Sequence, residues 1–291
     1  MRADDSRNTH LSYADWIRAI ERDPRRLVVV ERPNDACALI RLDDPENHNA
    51  LSGPLTLQLQ RALAEQIADP SVRSIVLTGV GEYFSVGGDW EMMRDRAHTY
   101  AERAEGTTGL WRWIRRQFGG IARQITGTEK IVIAAVNGHA AGVALAWALN
   151  CDLIFVAEEA QLVTAFARIG LVPEIGTNWA LARRLGYPRA LELVLRGAPL
   201  GGREAAERGL VNAALPRAEL LAHALGWAER IRKLPEHVAE MTKPMLRAAC
   251  DATFEQTLLC EEYAEPNTFT TRAHQETVRA LLAKEERALR E

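Results

Sequence analysis

Three stretches place glycine where strand-forming residues give way to a helical pattern: Gly81-Glu-Tyr-Phe-Ser-Val-Gly-Gly-Asp89, Asn137-Gly-His-Ala-Ala-Gly-Val-Ala144 and Gly170-Leu-Val-Pro-Glu-Ile-Gly176. Glycine lets a backbone turn sharply and approach a ligand, and a helix N-terminus offers amides that have no intrahelical partner. Such loops suit the binding of an anion or of negative charge that develops during a reaction. Taken singly, each glycine need do no more than permit a turn. None of the three fits the phosphate-binding GxxxxGK[ST] pattern, and the dinucleotide GxGxxG pattern is absent.

The elements that position these loops can be read from apolar periodicity. Leu27 to Val30 and Ala36 to Leu42 flank Pro33-Asn34-Asp35, which predicts a hairpin with its turn in that tripeptide. Gly53-Pro54 opens a helix in which Leu59, Leu63 and Ile67 recur every four residues. Ser74 to Thr78, Ile131 to Val136 and Leu153 to Ala157 read as buried strands, and Leu110, Ile114, Ile121 and Ile125 mark a helical face between two of them. Strands alternating with helices predict an α/β layered fold. A short helix is expected at Tyr13 to Ile20, with Ser12 as its cap and Pro24 beyond its end; from Ala180 onward the pattern is almost wholly helical.

The bulk composition narrows the function. A chain of 291 residues, 47% hydrophobic and 26% charged, is an ordinary soluble globular protein long enough to bury a large core. Its net charge of −3 argues against nucleic-acid binding, which needs a basic surface. Cys37, Cys151, Cys250 and Cys260 have no metal-ligand spacing and read as free thiols in a reducing compartment. With no apolar run long enough to span a bilayer and no leader-like start, the reading is cytoplasmic, with no membrane partner and no metal.

Taken in order, the loops form a constellation. Asn47-His-Asn-Ala-Leu-Ser52, Phe84-Ser-Val-Gly-Gly-Asp89 and Ala134-Ala-Val-Asn-Gly-His-Ala-Ala-Gly142 come first, then Cys151-Asp152, Gly170-Leu-Val-Pro173, Leu181-Ala-Arg-Arg-Leu-Gly186 and Ala205-Ala-Glu-Arg-Gly-Leu-Val-Asn212. This series resembles the enoyl-CoA hydratase/isomerase (crotonase) superfamily from about Leu27 to Arg287. The resemblance implies a spiral of ββα units over residues 27–196, after an N-terminal extension of residues 1–26. A helical region that forms trimers, or pairs of trimers, would fill residues 197–291. It also implies an acyl-CoA thioester substrate, with coenzyme A arriving as part of the substrate and no separate cofactor. By position, the backbone N–H groups of Val86 and Val143 would be the two donors to the thioester oxyanion, with valine at 143 narrowing the acyl pocket.

Hydratases of this family use two glutamates, and the matching positions here hold Ala146 and Phe166, neither of which can transfer a proton. Glu174 remains. The segment around it resembles that of relatives that move a double bond with one carboxylate, and one base suffices for that reaction. Val172 and Ile175 beside it would raise its pKa if they bury it. The alternative is an acid that only borders the helix starting near Ile175.

Of the remaining residues, His139 reads as structural rather than catalytic, His48 as a surface histidine beside the ligand path, Asp89 as a loop brace and Asp152 as structural. Among Trp90, Trp111, Trp113 and Trp147 most are expected in the core. Trp90, with Ala146, Phe166 and His139, is expected to shape an apolar acyl pocket. The leading expectation is therefore an enoyl-CoA isomerase. A hydratase or C–C bond hydrolase of the same superfamily and a catalytically silent acyl-CoA-binding member are the alternatives.

Overall fold

In the computed structural model, residues 13–90, 92–94 and 106–288 are described. The expected helix is α1 (Tyr13–Ile20), whereas its cap, Ser12, lies outside the described residues. The hairpin forms from β1 (Val28–Asn34) and β2 (Cys37–Leu42), paired antiparallel. Its turn is Asp35–Ala36 rather than Pro33-Asn34-Asp35, because β1 runs on through Pro33 and Asn34 with a register shift between Glu31 and Asn34. Proline is tolerated there since β1 is the edge strand. Helix α2 (Gly53–Ala68) follows, with Pro54 in its first turn and the Ser52 hydroxyl accepting from the Leu55 amide.

Three apolar runs become β3 (Ser74–Gly79), β5 (Ile131–Val136) and β7 (Leu153–Ala157). Each is followed by a three-residue strand: β4 (Tyr83–Ser85), β6 (His139–Ala141) and β8 (Gln161–Val163). The long strands join a six-stranded sheet in the order β1-β2-β3-β5-β7-β10, with β10 at residues Ala213–Leu215, parallel from β2 onward. The short ones join a second sheet in the order β4-β6-β8-β9, with β9 at Leu200–Gly201. The chain therefore winds back and forth between two sheets, which is the crotonase-like spiral.

Both faces of the large sheet are covered, which explains its unbroken apolar runs. Ile75, Leu77, Val132 and Ala134 face one buried cluster, formed with α2, α4 (Phe118–Gly127) and α5 (Gly142–Asn150). Val76, Ile133 and Ala135 face the other, under Leu220, Ala224 and Ala228 of α9 (Arg217–Lys233). The helical face read from Leu110 to Ile125 is split between α3 (Gly106–Arg116) and α4, with Gln117 between them.

Beyond α6 (Thr177–Leu185) and α7 (Tyr187–Arg196) the segment expected to be wholly helical contains strands. β9 (Leu200–Gly201) pairs with β8, and β10 (Ala213–Leu215), after α8 (Gly202–Glu207), completes the large sheet against β7. The reason is tertiary: two or three residues carry too little pattern to announce a strand, and the edges of β8 and β7 recruit β9 and β10 respectively.

Helix α10 (Glu236–Ala249) is latched to the spiral by Asp152, whose carboxylate holds Lys243 at 2.8 Å and Arg247 at 2.7 Å and accepts from the Val132 amide at 2.8 Å. Asp152 is thus structural, as read from sequence. Helices α11 (Phe254–Phe269) and α12 (Arg272–Ala288) leave Phe254, Tyr263, Leu281 and Leu282 exposed.

Candidate active site

Strand β4 delivers the first glycine loop and β6 the second, and the two strands pair, so the loops are brought side by side. Contact is made at Gly87: a β-carbon built there would lie 2.6 Å from the Ala141 carbonyl oxygen, so only glycine lets the loops close. Asn49, fully buried, braces the arrangement by donating to the carbonyls of Val80 and Tyr83 at 3.0 and 2.9 Å. Asp89 accepts from the Met92 amide at 2.9 Å, the loop-closing role expected of it.

Helix α5 begins immediately after this contact. Its N-cap, Ala141, offers no side-chain acceptor, so the first-turn amides, Val143 among them, have no intrahelical partner. Val86 differs from expectation. Its amide is not unpaired but donates to the carbonyl of His48 at 3.2 Å. The cause is local: His48 and Asn49 both sit at φ 54°, and this paired left-handed turn carries the His48 carbonyl onto the Val86 loop.

Glu174 lies at the opposite end of α5, just before α6. Its side chain is half-buried, and burial pushes its carboxyl above the ordinary value. Its own carbonyl accepts from the Thr177 amide at 3.0 Å and the Thr177 hydroxyl at 2.6 Å, which fixes the turn into α6. The turn is unusual. Ile175 sits at φ 56° and Gly176 at φ 82°. A β-branched side chain in the left-handed region is a conformational outlier that costs on the order of 1–3 kcal/mol. The amide of Asn150, a residue only 3% exposed, donates to the Ile175 carbonyl at 2.7 Å.

The four residues expected to shape the acyl pocket differ widely in exposure. Ala146 is 0% exposed and Phe166 3%, while Trp90 is 64% exposed. Ala146 is enclosed because α5 is apolar on every face and buried from Val143 to Asn150. His139 is half-buried in β6; its Nδ1 accepts from the Gln161 amide at 3.2 Å, and its ring packs 5.3 Å from that of Tyr83. His48 is exposed, its ring centroid 4.3 Å from that of Tyr83. Trp113 and Trp147 are core residues, whereas Trp111, like Trp90, is exposed, so half of the four tryptophans rather than most lie in the core.

An open groove of about 720 Å³ begins one residue beyond Glu174. Ile175, Gly176, Asn150, Trp111 and Trp179 line it, together with Arg115 and Arg123. Sequence reasoning missed Asn150 and Trp179. A polar residue ending an otherwise apolar helix was the available signal for the first. Among the described residues no group of three His, Cys, Asp or Glu side chains is placed to hold a metal ion, and no helix is long and apolar enough to cross a membrane. Cys151 is an inert thiol, pushed up to about 12 first by burial.

Comparison with known proteins identifies the family and the fold. A sequence profile of the family described as enoyl-CoA hydratase/isomerase matches residues 32–289. The chain is 31% identical to 4-chlorobenzoyl coenzyme A dehalogenase-1 of an Arthrobacter species, over 82% of this chain and 84% of that protein. It is 32% identical to the mitochondrial enoyl-CoA hydratase of Pongo abelii, over 86% and 82%. Among solved structures, a monofunctional enoyl CoA isomerase from M. smegmatis superposes with a TM-score of 0.66 at 30% identity, over 80% of this chain and 99% of that one.

Proposed function

The chain belongs to the enoyl-CoA hydratase/isomerase family of acyl-CoA-processing enzymes, and from that premise we propose that it moves the double bond of a β,γ-unsaturated acyl-CoA into conjugation with the thioester. The observation that carries this reading is Glu174, a half-buried carboxyl whose pKa is raised by burial. At the two positions where the resemblance puts hydratase glutamates stand Ala146 and Phe166, both buried. Adding water needs a second polar group to aim it, and those positions supply none.

The residues then divide the work. The Glu174 carboxylate takes a proton from the α carbon, and the electron pair flows into the thioester carbonyl to give an enolate. The Val143 amide, at a helix N-terminus, donates to that oxygen. The Val86 amide joins it once the thioester oxygen replaces the His48 carbonyl as its acceptor. The enolate collapses as Glu174 returns the proton to the γ carbon, so the product has the substrate's composition. Coenzyme A comes and goes with the acyl group. The apolar side chains exposed on α11 and α12 suit burial against further copies in a trimer or a pair of trimers.

Incubation with β,γ- and α,β-unsaturated acyl-CoAs, followed by mass and double-bond position, tests the assignment. Isomers of unchanged mass are expected. A product heavier by one water would assign hydration, and release of halide from a 4-chlorobenzoyl-CoA supplied in a parallel incubation would assign the dehalogenase chemistry that one relative's name gives.

A further inference from the structure

We propose that Asn150 is a positioning residue for Glu174, holding the otherwise unfavourable turn that aims the carboxylate; this rests on Glu174 being the base. Four observations converge on it. Asn150 is buried, and its side-chain amide donates to the Ile175 carbonyl at 2.7 Å, on the residue next to Glu174. Ile175 at φ 56° and Gly176 at φ 82° form a left-handed pair, which an isoleucine does not adopt unless its surroundings impose it. Gly176 packs directly on the same amide: a β-carbon there would lie 2.8 Å from Asn150 Oδ1 and 3.0 Å from Nδ2. Finally, Asn150 is itself anchored. Its backbone carbonyl accepts from Arg247 at 2.9 Å, and Arg247 is fixed by Asp152 at 2.7 Å.

The geometry makes one rigid element serve both ends of the reaction. Helix α5 presents the Val143 amide at its start and carries Asn150 as its last residue. With Asn150 in place, the acid and the oxyanion donor are referred to the same helix. Without it, Ile175 has no partner holding its carbonyl in the left-handed turn, and the peptide is free to relax toward negative φ, which swings Glu174 away. A misplacement of about an ångström is enough to cost turnover severely.

The turn also supplies its own control. Glycine adopts positive φ without cost, so Ile175→Gly removes the need for the Asn150 hydrogen bond. Isomerisation of a β,γ-enoyl-CoA would be measured for Asn150→Ala, Ile175→Gly, the double variant and, in parallel, Glu174→Gln. The expected result is a fall in kcat of about tenfold or more for Asn150→Ala with KM within about twofold, and recovery of most of that loss in the double variant. A merely structural role predicts lowered thermal stability with kcat intact, or a loss of kcat that Ile175→Gly does not restore, and either overturns the proposal. If Asn150→Ala does not fold, Asn150→Asp, which keeps the size and loses the donor, is read by the same criteria. Slow Glu174→Gln beside a fully active Asn150→Ala would overturn the positioning role alone, whereas wild-type turnover by Glu174→Gln would overturn both readings.

Discussion

The amide of Val86 donates to the carbonyl of His48 at 3.2 Å, so one of the two donors assigned to the thioester oxygen is occupied by the protein's own backbone. Substrate must exchange acceptors at this amide, and the long bond makes the exchange inexpensive. A saturated acyl-CoA thioester should therefore shift the backbone amide resonances of both Val86 and Val143, and the thioether analogue that lacks the carbonyl oxygen should shift neither. A Val86 resonance unmoved by the thioester would place the oxyanion elsewhere.

Burial raises the pKa of Glu174, and two pH effects follow. Because the base must be ionised, kcat/KM should fall with acid on a limb lying above the ordinary glutamate value of about 4.3. For stability the direction is opposite. The folded state keeps this proton to a higher pH than the unfolded chain does, so its stabilising contribution is full below the unfolded pKa and is lost as pH rises through the folded one. Glu174→Gln should therefore melt above wild type at neutral pH, and the gap should close below the unfolded value. A gap that is independent of pH would contradict the buried carboxylate.

Much of the fold was legible because its long strands are buried on both faces and so read as continuous apolar runs, as at Ile131 to Val136. The glycine loops were legible for a related reason: Gly87 must let two backbones meet, and only its residue type permits that. The left-handed turn at Ile175 was not legible, since nothing in Glu-Ile-Gly distinguishes a strained isoleucine from a relaxed one until Asn150 is seen beneath it. Nor was the occupied Val86 amide, which depends on the tertiary approach of His48. Which face of α5 meets a ligand was not legible either, because a helix that is apolar all round and buried along its length, Ala146 included, carries no such signal.

Asp152 pairs with two cations, and Lys243 is almost wholly enclosed. Removing one member of a buried pair strands the others, at a cost of about 3–5 kcal/mol. Asp152→Ala should lose stability on that scale in chemical denaturation, with part of it restored by adding Lys243→Met. A loss under about 1 kcal/mol, the range of surface pairs, would show that α10 is held by packing instead.

His139 offers no lone pair at Nδ1, which already accepts from the Gln161 amide. His139→Ala should keep isomerase turnover within about a factor of three, well short of the hundredfold expected for loss of a general base. A drop of that larger size would move the base from Glu174 to His139.

The most direct measurement is the turnover of Glu174→Gln on a β,γ-unsaturated acyl-CoA, with acyl-CoA binding followed in the same preparation. Glutamine keeps the size and hydrogen-bonding capacity of the side chain and removes the base. The account predicts a fall in kcat of at least about a hundredfold with binding little changed, because the amide donors remain. Turnover within a few-fold of wild type would contradict it and leave Glu174 as an acid at the end of a helix.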